Sequence, residues 1–417
     1  MPPIHWLSRH RPTILLALLF VVAIAQPAAA ATIGLNFTGT SRSYSGVLVP
    51  DVAGAVGPNH IVETLNYSIA VYEKSTGTLL ARGRPDSFWN AALARGGGGS
   101  VGFQSSYAPR VVYDPTSSRW FVTYDDGGGD QSGRILLGVS DTDNPLAETS
   151  DGLIGWKGYQ IDGDPSAQPD RRWSDFPTLG VDRDSLTIST NLLDIANHGV
   201  IEPRGIAVYS IPKSDLLQSM PTLANRSEFT FAKPAALGNS STALHGVINF
   251  GPADGRAALF AANPRFGLQR WDLTGTAESR AGAATLSSPI NIPIGPFQAP
   301  LAAEQPGDVQ SLYNGGGPFT GIDGTIVDDL ARLGASLVQQ DNHAWGVYAA
   351  KAGERSGVRW FEVDLTTSAI VQSGTISDPA LDLIHPSIAV NQFGDAVIGF
   401  TASGETLYPS AYAVVGD

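Results

Sequence analysis

The chain has 417 residues, 39 acidic against 26 basic, a formal net charge of −13 and no cysteine. That balance argues against nucleic acid and anionic membranes, which need a concentrated basic surface. The missing thiols exclude disulfides, thiolate zinc sites, redox pairs and a cysteine nucleophile.

In chain order, the first segment reads as a secretory signal. Arg9 and Arg11 give a basic start, Thr13 to Ala25 is apolar, and Ala28 to Ala31 offers small-residue cleavage sites. The apolar stretch is shorter than the roughly 20 residues of a membrane-spanning helix. The expected layout is therefore a signal peptide over 1–31 and one domain over 32–417, secreted or periplasmic, with no membrane span after signal removal.

Helix-period apolar stretches are scarce in the rest of the chain. Ser214 to Ser219 and Asp328 to Leu333 read as single turns inside loops. Short strand-like runs dominate, bounded by the turn formers among 47 glycines and 28 prolines. One phrase recurs: Pro109-Arg110-Val111-Val112-Tyr113-Asp114, Pro177-Thr178-Leu179-Gly180-Val181-Asp182 and Pro386-Ser387-Ile388-Ala389-Val390-Asn391. Asp51 to Gly57 reads as the same phrase with Asp51 in the proline slot. A second apolar strand follows each copy, at His60 to Leu65, Trp120 to Tyr124, Leu186 to Thr190 and Ala396 to Thr401. A third recurs at Ile69, Ile135, Ile206, Leu268, Val358 and Ala411.

Repetition on this scale in an all-β chain predicts a propeller, since one such sheet cannot bury both its faces alone. Six blades are expected, starting near Asp51, Pro109, Pro177, Leu244, Leu333 and Pro386. Five or seven blades and paired β-sandwiches are the alternatives. The last sheet has about three strands, and Ile33 to Thr38 is the candidate for its missing outer edge.

The wording of Asp51 to Asn59, Pro109 to Tyr124 and Asp175 to Asn191 resembles exported bacterial β-propellers of the BNR or sialidase-like repeat class. The resemblance implies the fold. It implies no activity: no Asp-box turn (Ser-x-Asp-x-Gly-x-Thr-Trp) occurs in the chain, and neither an arginine triad nor a Tyr/Glu nucleophile pair can be assigned.

In a propeller, chemistry gathers where inner strands begin and where second strands turn into third ones. Asp51, Arg110, Asp175 and His385 are expected at the first kind of position. Tyr67, Asp125, Asp126, Asn191, Asn263, Arg265 and Glu405 are expected at the second. Asp51 and Asp175 are the candidate carboxylate pair for acid–base work, with His385 as a proton carrier. Arg110, Tyr67, Asn191, Arg265 and Trp173 are candidate ligand contacts, Arg110 as a fork for a carboxylate. Trp89 and Trp173 read as loop aromatics suited to stacking on a sugar.

The acidic turns Asp125-Asp126-Gly127-Gly128-Gly129-Asp130 and Asp162-Gly163-Asp164 offer hard oxygen ligands, so calcium is the candidate cofactor at Asp125, Asp126 and Asp130. Each of these residues also has a structural reading, as turn caps for the aspartates and core packing for the aromatics. Two functions are expected. The first is a non-catalytic ligand-binding or scaffold propeller at the cell surface or outside the cell, with a glycan or a surface protein as partner. The alternative is a glycoside hydrolase or lyase acting on an acidic glycan.

Overall fold

The computed structural model describes residues 34–416 except 47–49, 104, 128–132, 149–153, 166–171, 197–199, 233–243, 264–266, 302, 307–332 and 334–336. The candidate signal, Asp130 and Arg265 lie outside the described residues, as do most of the 305–323 insertion and of Asp328 to Leu333.

The described chain is mostly strand, arranged as successive antiparallel meanders. A short helix, α1 (Arg42–Ser45), precedes them. The first meander is β1 (Ala53–Val56), β2 (His60–Leu65), β3 (Ser68–Glu73) and β4 (Leu79–Gly83). Helix α2 (Pro85–Arg95) follows. The second meander is β5 (Ser106–Asp114), β6 (Arg119–Asp126), β7 (Arg134–Ser140) and β8 (Trp156–Asp162). The third is β9 (Trp173–Val181), β10 (Ser185–Ala196), β11 (Val200–Pro212) and, after α3 (Lys213–Leu216), β12 (Ser227–Ala232).

The fourth comprises β13 (His245–Asn249), β14 (Arg256–Asn263) and β15 (Gly267–Thr274), edged by β16 (Thr285–Leu286) and β17 (Ile290–Pro293). The fifth is β18 (Leu337–Gln340), β19 (His343–Ala352), β20 (Arg355–Asp364) and β21 (Ala369–Ile376). The sixth is β22 (Asp382–Val390), β23 (Ala396–Gly404) and β24 (Leu407–Gly416).

First strands of consecutive meanders lie side by side in chain order: β1 by β5, β5 by β9, β9 by β13, β13 by β18 and β18 by β22. Where they pair they run parallel, Val181 opposite Ile248 and Val247 opposite Leu337. Period-two alternation sends the two faces of one strand into different cores. On β6, Trp120, Val122 and Tyr124 pack toward the first sheet with Val62, Val71 and Trp89. Phe121 packs the other way, with Leu179, Ile188 and Leu192 of the third sheet. Similar cores join the third to the fourth sheet, the fourth to the fifth and the fifth to the sixth.

Two expectations change. Helix α2 begins with Pro85 at its first turn and Asp86 beside it, and its Trp89, Ala92 and Leu93 are fully buried. Trp89 is thus a core residue on a helix and not a loop aromatic open to sugar. The described part of the segment read as an outer edge, 34–38, lies outside regular structure. Phe37 instead rests 5.2 Å, ring to ring, from Tyr72 of the first sheet, and Thr40 donates to Glu63 through its backbone N–H at 2.9 Å.

Candidate functional site

Where the recurrent phrase begins, the backbone does something its residues do not announce. Asp51 (φ 44°), Ala108 (φ 48°), Phe176 (φ 59°) and His385 (φ 51°) all carry positive φ without being glycine. The last three immediately precede the proline of the phrase. Strand pairing slips at the same place, between Tyr107 and Arg110 of β5, between Ser189 and Asn191 opposite β9, and between Ile384 and Ser387 of β22. Each is a bulge at the start of an inner strand, the kind of strained position that re-aims side chains. The shared φ also corrects the alignment of the first copy: Asp51 matches the residue before the proline, and Val52 takes the proline slot.

The bulges are gripped from the neighbouring sheet. Asn66, one residue past β2 and 8% exposed, donates through Nδ2 to Asp51 Oδ2 at 2.8 Å and accepts from the Ala108 backbone N–H at 2.7 Å. One side chain thus holds the bulge of its own sheet and that of the next. By register Asp125 stands at the same place in β6, and the Phe176 N–H faces its carboxyl. Between the third and fourth sheets the link is made by hydroxyls, Thr178 donating to the Leu244 carbonyl at 2.5 Å and Ser189 accepting from its N–H at 3.0 Å.

Between the second and third sheets this geometry assembles a charged cluster. Asp125 is 1% exposed, and neither carboxyl oxygen makes a well-formed hydrogen bond. Burial holds its pKa well above the usual carboxylate range, and the charges of Asp175 and Asp51 push the same way. The Phe176 N–H and the Arg110 guanidinium oppose them. Tyr107 sits two residues before Pro109, as Asp175 does before Pro177. Burial, then Asp125 and Asp175, drive its phenol far up, so it stays neutral. The half-exposed Trp173 has its ring 6.0 Å from that of Tyr107. Arg110 is buried and stacks its guanidinium 4.4 Å from the centre of the Phe176 ring, and His245 lies on Phe176 at 6.3 Å.

The expected site residues divide accordingly. Asp51, Asp175, Arg110, Trp173 and Asn191 meet in or beside the cluster; Asn191 pairs with Asp175 across β9 and β10 and is buried, its Nδ2 without a partner. Tyr67, at positive φ, forms the turn after β2, next to Asn66. His385 is exposed and holds the sixth sheet's copy of the bulge. Sequence reading passed over Tyr107, Phe176 and His245, and noted Asn66 only as part of an Asn-x-Ser sequon. For Tyr107 a signal existed in its place two residues before the proline, shared with Asp175.

Asp125 and Asp126 are adjacent on one strand, so their side chains leave opposite faces. Asp126 goes to Arg134, at 3.3 Å. In the other acidic turn, Asp164 is taken by Arg172 at 3.0 Å. Among the described residues no group of three His, Asp or Glu is arranged to hold a metal ion. Asn66, part of a glycosylation-like sequon, has its side chain committed to the two bulges.

No family model and no curated protein matches the chain. Solved structures similar to it include a subtype N11 neuraminidase-like protein of A/flat-faced bat/Peru/033/2010, at 9% identity over 88% of this chain and 86% of that one, TM-score 0.39. A GH43 endo-arabinanase from Bacillus licheniformis aligns at 10% identity over 88% and 93%, TM-score 0.33. The extracellular domains 1–2 of Drosophila Semaphorin 1b align at 8% identity over 89% and 78%, TM-score 0.37. At these scores no activity is carried over from them.

Proposed function

We propose that the protein is an exported six-bladed β-propeller that binds a neutral glycan, without cleaving it, at the bulge cluster between its second and third sheets. The observation behind this reading is the composition of that cluster. Half-exposed Asp51 and Asp175 supply acceptors for sugar hydroxyls and Trp173 and Tyr107 supply ring surface, with the buried Asn191 and Arg110 set behind them. The charge balance favours a neutral ligand over the acidic glycan expected from sequence. Around Asp125 the charges of Asp51 and Asp175 stand against the single Arg110 guanidinium, so a uronate would meet more negative charge than positive.

Full burial of the Asp125 carboxyl favours binding over hydrolysis, because a general acid must reach the bond it protonates. A second reading, glycoside hydrolysis, is supported by the raised pKa of Asp125 beside Asp175, the pattern of an acid and its carboxylate partner. The six-bladed arrangement rests on inner strands that adjoin in chain order from the first sheet to the sixth.

The test is a glycan array of neutral and acidic oligosaccharides probed with the chain lacking residues 1–31, followed by calorimetry on each hit. Trp173→Ala and Asp175→Asn are each expected to weaken a neutral hit by about tenfold, with no new reducing ends on prolonged incubation. Product that disappears with Asp125→Asn would establish the hydrolase instead. Silence across the whole array would end both readings.

A further inference from the structure

A second site lies at the far end of the second sheet, away from the cluster around Asp125. Arg119 opens β6, Ser140 closes β7 and Lys157 lies at the start of β8, whereas Asp125 stands at the other end of β6. Together with Asp141 and the loop residues Gln218 and Ser219 of the third sheet, they line a cavity of about 190 Å³.

The cavity's charge runs against that of the molecule. Asp141 is its one carboxylate, and two cations already hold it: Lys157, in direct contact, and Arg95 Nη2 at 2.8 Å. Burial alone would raise the Asp141 pKa, yet Lys157 and Arg95 together pull it below the ordinary range, so it stays ionised and neutralised. Arg95 is anchored further by the carbonyls of Ile154 and Trp156, at 2.8 and 3.0 Å. Arg119 forms no ion pair among the described residues; its one hydrogen bond there, from Nη1 at 3.0 Å, goes to the neighbouring Ser118 carbonyl. The lining therefore carries two cations, Arg119 and Lys157, against one carboxylate that Arg95 also neutralises from behind, in a chain of net charge −13.

The remaining wall is rich in donors: the Arg119 guanidinium, the spare Lys157 ammonium protons, the Gln218 amide and the Ser219 hydroxyl. Donors converging on a net positive hollow select an oxyanion. The volume is below the range of cavities that hold drug-sized ligands, which limits the occupant to a small group.

We infer that this cavity binds a phosphate group, either as the free ion or carried on a small molecule. Arg119 supplies the planar fork and Lys157 the point charge. The loop 217–221 closes the hollow over the second sheet, tied there by Tyr159, whose hydroxyl donates to the Pro221 carbonyl at 3.2 Å.

Calorimetric titration with inorganic phosphate, against sodium chloride at matched ionic strength, tests this. Saturable phosphate binding is expected, weakened at least about tenfold by Arg119→Gln. Ser219→Glu, on an exposed loop that tolerates change, adds a negative charge at the mouth and should abolish binding while leaving the thermal midpoint unchanged. O-phosphoserine binding more tightly than inorganic phosphate would identify a carried group, and equal affinity the free ion. Heat with chloride equal to that with phosphate, or unchanged phosphate affinity in both variants, would overturn the assignment.

Discussion

At Ala108 the backbone is held at φ 48° between Tyr107 and Pro109, in a region where a side chain meets its own carbonyl. In an ordinary strand, replacing alanine by glycine costs roughly 0.5–1 kcal/mol. Here relief of the strained φ should offset that loss, so Ala108→Gly is expected to leave stability unchanged or raise it by up to about 1 kcal/mol. Denaturant unfolding would check this, and a loss of the ordinary size would show that the bulge stores no strain. Asp182 gives a pH signature. Burial lifts its pKa from 3.8 to about 6, against hydrogen bonds from the Asp184 and Ser185 N–H groups and the Ser185 hydroxyl. Its contribution is fully present below about pH 4, where folded and unfolded chains are both protonated, and is lost as pH rises through about 6. About two pKa units correspond to about 3 kcal/mol, an order-of-magnitude figure. Asp182→Asn should therefore gain stability relative to the parent between pH 4 and pH 7.5, and a constant difference would contradict the assignment.

At the scale of elements, the repeated phrase Pro-x-x-apolar-apolar-Asp/Asn was readable because alternation and turn formers mark strands directly. It located the inner strands of the first, second, third and sixth sheets, and the third-strand positions matched β3, β7, β11, β15, β20 and β24. The bulges were not readable. Positive φ is signalled in sequence by glycine and less strongly by Asn, Asp or His, and Ala108 and Phe176 carry no such mark. Helix α2 did carry its marks, Pro85, Asp86 and the 89/92/93 spacing, but a single eleven-residue helix is easily passed over among strands. The cluster around Asp125 was half readable: its aspartates stood out by position, while their meeting depends on which face each β6 residue takes. Gly180 and Gly246 show how tightly the inner strands adjoin. A Cβ on Gly180 would lie 2.7 Å from the Gly246 Cα, which is backbone and cannot turn aside. Gly180→Ala should cost about 1–3 kcal/mol and separate β9 from β13, seen as a lower thermal midpoint with faster amide exchange at Val181. An unchanged midpoint would show that the strands yield.

At the scale of the molecule, cores join each sheet to the next, from the first to the sixth, without a disulfide. The sixth sheet presents a contrast. The outer edge of β24 has no strand partner among the described residues, and Tyr408, Tyr412 and Val415 are exposed on it. Beyond Pro409, which interrupts it, the uncharged and mostly exposed edge from Ser410 to Gly416 is a template for pairing with another chain. The parent is expected to self-associate as its concentration rises, and Ala413→Lys to suppress this, in sedimentation velocity at matched concentrations. A parent that stays monomeric throughout would show that this edge does not pair.

The grip of Asn66 on two bulges at once has a kinetic consequence. On the function proposed above, a ligand would meet bulge backbone at Asp51 and Ala108 that folding has already set, with little of it left to order. Capture should therefore run at similar rates for good and poor ligands, and selectivity should reside in how long each one stays.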